Sequence, residues 1–186
     1  MKSASFQAVA GPDARVLILG TLPGEVSLKK REYYAQPRNA FWQIMSEMVG
    51  AELTLPYAER LRRLVTHRIA LWDVCHRAMR PGSADSAIQP ATIRPNNIYR
   101  FLNAHTAVEL ICFNGAKASA LFRRYVVPTL GRPQWPSGEK CFHRRAQPSR
   151  RCPSKRSLND GGLCCAVSRP KTACSRRRGG IQKRRG

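Results

Sequence analysis

The chain predicts an α/β fold of three layers, α/β/α, around a central, mostly parallel sheet. Three short apolar runs carry the prediction: Val16 to Leu19, Arg68 to Cys75 and Val108 to Phe113. They lack the polar alternation of a half-exposed strand, as strands buried on both faces of a parallel sheet do. Stretches with helical spacing of apolar residues lie between and after them, so the order is strand, helix, strand, helix, strand, helix.

Residues 1–14 read as a polar lead-in closed by the turn Gly11-Pro12-Asp13. The first strand stops at Gly20. Gly20 and Gly24 bracket Pro23, so the backbone can turn sharply and expose amide N–H groups at the strand's carboxyl end, where open α/β sheets bind ligands. Phe41, Ile44, Met45, Met48 and Val49 give one apolar helix face ending near Val49. A second helix is expected from Tyr57 to Val65, with Leu61 and Val65 inward and Arg60, Arg62 and Arg63 on a solvated face. Asp73 sits near the end of the second strand, where it could orient a neighbour, repel a phosphate or cap the next turn. His76 to Ser86 is expected to be a polar loop. Pro95-Asn96-Asn97 opens a further helix with Ile98, Phe101 and Leu102 inward, and the third strand breaks at Asn114-Gly115. Ala116 to Tyr125 forms the last predicted helix, before Pro128.

A chain of 186 residues is long enough for one domain with a core of its own. Its net charge of +22 is unevenly spread: residues 1–130 hold 17 Lys/Arg against 9 Asp/Glu, and residues 131–186 hold 16 against 2. The first part suits a globular protein that meets a polyanion; the second is far more basic per residue. The opening residues lack the long apolar core of a signal peptide, and no run approaches the length of a membrane span, so the expected location is cytoplasmic and away from membranes. Thiols stay reduced there, which argues against a disulfide framework. Cys164, Cys165, Cys174 and His143 have no metal-ligand spacing, and neither a Walker loop nor a helical HExxH occurs.

The informative stretch is Arg15 to Trp42. After the Gly-Thr-Leu-Pro-Gly turn, Tyr33-Tyr34-Ala35-Gln36-Pro37-Arg38-Asn39-Ala40-Phe41-Trp42 packs two tyrosines, a rigid proline, a cation and a carboxamide into ten residues. This arrangement resembles the uracil-DNA glycosylase superfamily, and within it the hypoxanthine (deoxyinosine)-DNA glycosylase branch, whose members carry GxxPG followed by YYAxPRNxFW. The mismatch-specific uracil/thymine glycosylases share the turn and the PxNxFW segment and stand as the alternative. The resemblance covers roughly residues 15–130. It implies a monofunctional glycosylase that flips a deaminated base, hypoxanthine or uracil, out of DNA and hydrolyses its N-glycosidic bond. It implies no cofactor, no metal and no obligate protein partner, and a place on the nucleoid.

The same resemblance distributes roles. Asn39 is the expected catalytic residue, holding the attacking water, although an asparagine before Ala40-Phe41-Trp42 also suits a helix cap. Tyr34 is expected to stack on the extruded base and Asn114 to read its edge, with Gly20 and Pro23 shaping the base site. For Asn114 the competing explanation is a plain Asn-Gly turn. Tyr33 and Trp42 belong to the core or the wall. Arg38 and Lys117, with Lys29 and Lys30, are expected at DNA phosphates. Leu22 departs from branches that place Asp or Asn at this turn position, which fits the hypoxanthine branch.

Beyond about Leu130 apolar periodicity stops, so the expected domain is 1–130, followed by a basic, low-order tail over 131–186. Read one frame over, the codons of Lys140 to Pro148 permit Val-Leu-Pro-Ser-Thr-Ser-Pro-Ala, which resembles the LPSTSPA motif that closes this family. The expectation is therefore a frameshift in or just before residues 131–140, leaving the glycosylase domain incomplete at its C-terminal side. A nonenzymatic nucleic-acid-binding protein is the function that follows if the loss abolishes cleavage.

Overall fold

A computed structural model describes residues 2–130 and the backbone of residues 138–142. In chain order the elements are β1 (Lys2–Ala4), β2 (Val16–Gly20), α1 (Glu25–Lys30), α2 (Phe41–Val49), α3 (Tyr57–Thr66), β3 (Ile69–Asp73), β4 (Cys75–Met79), β5 (Arg94–Pro95), α4 (Ile98–Ala104), β6 (Leu110–Asn114), α5 (Ala116–Tyr125) and β7 (Gly138–Phe142).

Four strands form a parallel sheet in the order β3-β2-β6-β7, with β2 paired on both sides. Its alternating side chains fill two cores. Leu17, Leu19, Ile111 and Phe113 pack on one face with Phe101, Leu102, Leu121 and Phe122 of α4 and α5. Ile18, Ile69, Leu71 and Cys112 pack on the other with Phe41, Trp42, Met45 and Leu64 of α2 and α3. The three-layer expectation is met, and β2 is apolar throughout because both its faces are covered.

Several local expectations change. The lead-in is not featureless: β1 pairs antiparallel with β4, which itself occupies the start of the expected polar loop, and β5 completes this small second sheet. Pairing to a neighbour can hold a strand with little apolar pattern of its own, so its own residues do not announce it. Arg60 does not join a solvated face. It lies 4.6 Å over the Trp42 ring and 3.5 Å from Glu32, while Arg62 and Arg63 pair with Glu59 on the outside. Leu64, rather than Leu61 or Val65, is the fully buried apolar side chain of α3.

The backbone of β7 runs parallel to β6, from Leu110↔Gly138 to Asn114↔Phe142. This backbone pairing lies in the stretch where the apolar periodicity of the sequence has stopped. An open strand edge recruits a partner through main-chain groups, for which an apolar pattern is not required. The remaining tail residues, including His143, Cys164, Cys165 and Cys174, lie outside the described residues. Among the described residues, no helix is long and apolar enough to cross a membrane.

Candidate active site

Sheet register decides which side chains meet. Gly20 pairs with Asp73 across β2 and β3, and Leu19 pairs with Phe113, so Asn114 stands one residue further at the same carboxyl edge. The chain after Gly20 turns through Leu22-Pro23-Gly24 into α1. Between that turn and the strand ends lies a cavity of about 260 Å³, lined by Leu22, Pro23, Tyr33, Tyr34, Asn39, Asp73, Arg80, Asp85 and Asn114, among others. Tyr34, Asn39, Asn114 and Pro23 thus share one hollow. Gly20 lies against it: a Cβ there would come within 2.5 Å of both Asp73 Oδ1 and the Tyr34 hydroxyl. Arg38 and Lys117 do not line the cavity. Arg38 is exposed in the turn before α2, and Lys117 is half-buried in the first turn of α5.

Asn39 stands one residue before Ala40, the N-cap of α2, and its Oδ1 accepts the Phe41 N–H at 2.9 Å. The bond also fixes the carboxamide, whose NH2 and second Oδ1 lone pair are the capacity it has left for a ligand. Asn114 ends β6 because Gly115, at φ 111° and ψ 152°, takes a backbone conformation open essentially to glycine alone. That kink starts α5 and leaves the Asn114 side chain at the cavity wall.

Tyr34 has φ 54°, in the left-handed region that a bulky residue seldom enters. Its ring lies 4.1 Å from the Phe41 ring, so the cavity wall at Tyr34 has an aromatic backing. Its buried hydroxyl has no hydrogen-bond partner of good geometry among the described residues; the Asn114 carboxamide is the polar side chain that approaches it. Burial, and then Asp73, pushes this phenol far above its ordinary range, so it remains an O–H group at any working pH. Tyr33 and Trp42 are core residues, 3% and 1% exposed, and the Trp42 indole N–H donates to the Tyr33 carbonyl at 2.9 Å.

Two residues acquire places that the sequence left open or hid. Asp73 is 2% exposed, and its Oδ2 accepts the Ser5 hydroxyl at 3.0 Å. No ion pair reaches it among the described residues. Burial raises its pKa to about 7; the Ser5 bond opposes the rise, Asp85 adds to it and Arg80 opposes it. Arg80, 1% exposed, instead donates to the carbonyls of Leu22 and Pro23 and reaches Asp85 Oδ1 at 3.3 Å. It clamps the turn to the segment after β4. Ser83 adds a second tie, its Oγ accepting the Glu25 N–H at 3.0 Å. An aspartate closing an apolar strand is a signal the sequence offered; an arginine within a polar stretch gave no sign of burial.

Known proteins resemble this chain in sequence and in fold. The family model described as Uracil DNA glycosylase superfamily matches residues 8–166. A protein named hypoxanthine DNA glycosylase from Methanosarcina barkeri is 35% identical over 119 residues, which span 63% of this chain and 74% of that one. Its namesake from Methanosarcina acetivorans is 39% identical over 114 residues, 61% of this chain and 71% of that one. The solution NMR structure of a Methanosarcina acetivorans protein, whose name proposes a uracil DNA glycosylase, superposes with a TM-score of 0.61 at 32% identity, covering 77% of this chain and 83% of that one.

Proposed function

The chain belongs to the uracil DNA glycosylase superfamily, and we propose that it hydrolyses the N-glycosidic bond of deaminated bases in DNA, hypoxanthine foremost. The observation that carries the reading is one cavity at the carboxyl edge of the sheet, lined by Asn39, Asn114 and Tyr34 together. Its two relatives named hypoxanthine DNA glycosylase support the choice of base. Extruding a nucleotide costs a few kcal/mol, least where the pair is already mismatched, which favours a deaminated base. Tyr34, backed by Phe41, supplies an aromatic wall for the extruded ring. Asn114 offers a donor and an acceptor to the base edge. Asn39, held by its bond to the Phe41 N–H, orients water toward C1′. A carboxamide takes no proton near neutrality, so the assistance is positional and electrostatic. Arg38 and Lys117, outside the cavity, are assigned to phosphates of the flanking duplex.

The test incubates the full chain with labelled duplexes containing deoxyinosine, uracil or a G:T mismatch and scores alkali-labile abasic sites. Cleavage at deoxyinosine supports the reading, and cleavage confined to G:U or G:T assigns the mismatch-specific alternative. Asn39→Ala should lower the single-turnover rate by roughly 10²–10³, the loss typical of one transition-state group, with duplex binding nearly intact. An unchanged rate removes Asn39 from its role.

A second reading rests on the tail sequence, in which an LPSTSPA-like motif is readable only in the shifted frame. If that displacement abolishes catalysis, the chain binds DNA without cutting it. A frame-restored version that cleaves, beside an inert present chain, establishes this reading.

A further inference from the structure

The hydrolysis needs a group that can follow the charge developing on the departing base, and neither carboxamide can give up a proton. We propose that Asp73 is the acid of the base site: its carboxyl carries a proton at the cavity wall and donates it to an acceptor of the extruded purine, O6 or N7 of hypoxanthine. The inference deepens the glycosylase reading and rests on it.

Four observations converge. Asp73 lines the same cavity as Asn39 and Asn114. Its carboxyl is held from one side, by Ser5 on Oδ2, while Oδ1 sits in the tight corner it shares with Gly20 and the Tyr34 hydroxyl, at the edge of that cavity. The buried Tyr34 hydroxyl, approached by the Asn114 carboxamide, lacks a well-formed partner among the described residues, so this polar corner has hydrogen-bonding capacity to spare. Finally, Arg80, the buried cation lining the cavity, does not neutralise Asp73, because it is committed to the Leu22 and Pro23 carbonyls and to Asp85.

The surrounding groups leave Asp73 poised near neutrality. Tyr33, Tyr34 and Tyr57 face it from the aromatic side and are all driven upward by burial. Cys75 on β4 is pushed up to about 12, by burial first and by Asp73 second. Ser5 follows β1, and Asp85 and Arg80 come from the segment after β4, with opposite effects on Asp73. A carboxyl at about 7 still holds much of its proton where the enzyme works.

The step balances. The C1′–N9 bond breaks with its electron pair going to the base, the Asp73 proton passes to the base, and water adds to C1′. The proton that water loses restores the carboxyl, so the products are an abasic sugar and neutral hypoxanthine. An ionised Asp73 would instead set a negative charge against the acceptor atoms of the base.

The experiment measures single-turnover cleavage of a deoxyinosine duplex from pH 6 to 8.5 by the full chain, by Asp73→Asn and by Asp73→Ala. The wild-type rate should fall as pH rises through about 7, approaching tenfold per unit on the alkaline side, because the protonated fraction falls so. The carboxamide of the first variant keeps a donor and loses the titration, so its rate should be flat with pH; the alanine variant should be flat and slower still. A wild-type rate independent of pH, or an alkaline fall kept by Asp73→Asn, overturns the proposal. A ¹³C titration of the Asp73 carboxyl in the wild-type chain needs no variant, and a midpoint near the ordinary carboxylate value also overturns it. Absence of wild-type cleavage on every duplex at every pH defeats the glycosylase reading itself, whereas cleavage without the pH response defeats only the role of Asp73.

Discussion

Gly20 is where one missing carbon makes the site possible. The strand end, the Asp73 carboxyl and the Tyr34 hydroxyl converge where a Cβ would intrude at 2.5 Å, so Gly20→Ala must displace both polar groups. Overpacking of this kind costs about 1–3 kcal/mol, and the variant should show both a lower thermal midpoint and reduced cleavage. Normal stability with full activity would mean that the corner is looser than its geometry. Asp73 yields a second expectation at this scale, whose sign follows from linkage. Its folded pKa, about 7, lies above the ordinary carboxylate value, so the folded state holds more protons than the unfolded one between roughly pH 4 and 7. Stability should therefore decline as pH rises through that window and level off above it. Asp73→Asn should remove that decline, which thermal melts at pH 4, 5.5 and 7 can check.

At the scale of elements, the kink at Gly115 sets Asn114 at the strand end and starts α5. Gly115→Ala forces a side chain into a backbone region that costs of order 1–3 kcal/mol for other residues. Loss of stability together with loss of cleavage is expected; an unaffected melting curve would show that β6 and α5 can be joined differently. The elements that announced themselves in the sequence did so through dense local signals. β2 and β6 are nearly continuous apolar runs, α2 carries an apolar stripe, and the Tyr33–Trp42 motif brought Tyr34 and Asn39 to notice. What the sequence hid depends on partners far along the chain. β1 and β4 exist by pairing with each other across more than seventy residues, α1 is a six-residue helix closed by Arg31 at φ 55°, and Arg80 is buried because two carbonyls and Asp85 receive it. A residue-by-residue pattern cannot express such long-range satisfaction, which is also why the acid beside the two asparagines was visible and its environment was not.

For the whole molecule, charge governs how duplex and protein meet. Residues 1–130 already carry 17 basic against 9 acidic side chains, so binding should weaken steeply with salt. If Arg38 rests on a phosphate, Arg38→Ala should reduce the slope of log affinity against log salt by about 0.9; an unaltered slope places Arg38 off the interface. The fold also ties remote stretches of chain to one small corner. Ser5 follows the first strand, its N–H bound to the His76 carbonyl at 2.8 Å and its hydroxyl on Asp73. The segment around Ser5 is consequently a supporting beam of the cavity. Trimming the chain past Ser5 would remove the hydroxyl from Asp73 and disturb that carboxyl from a distance.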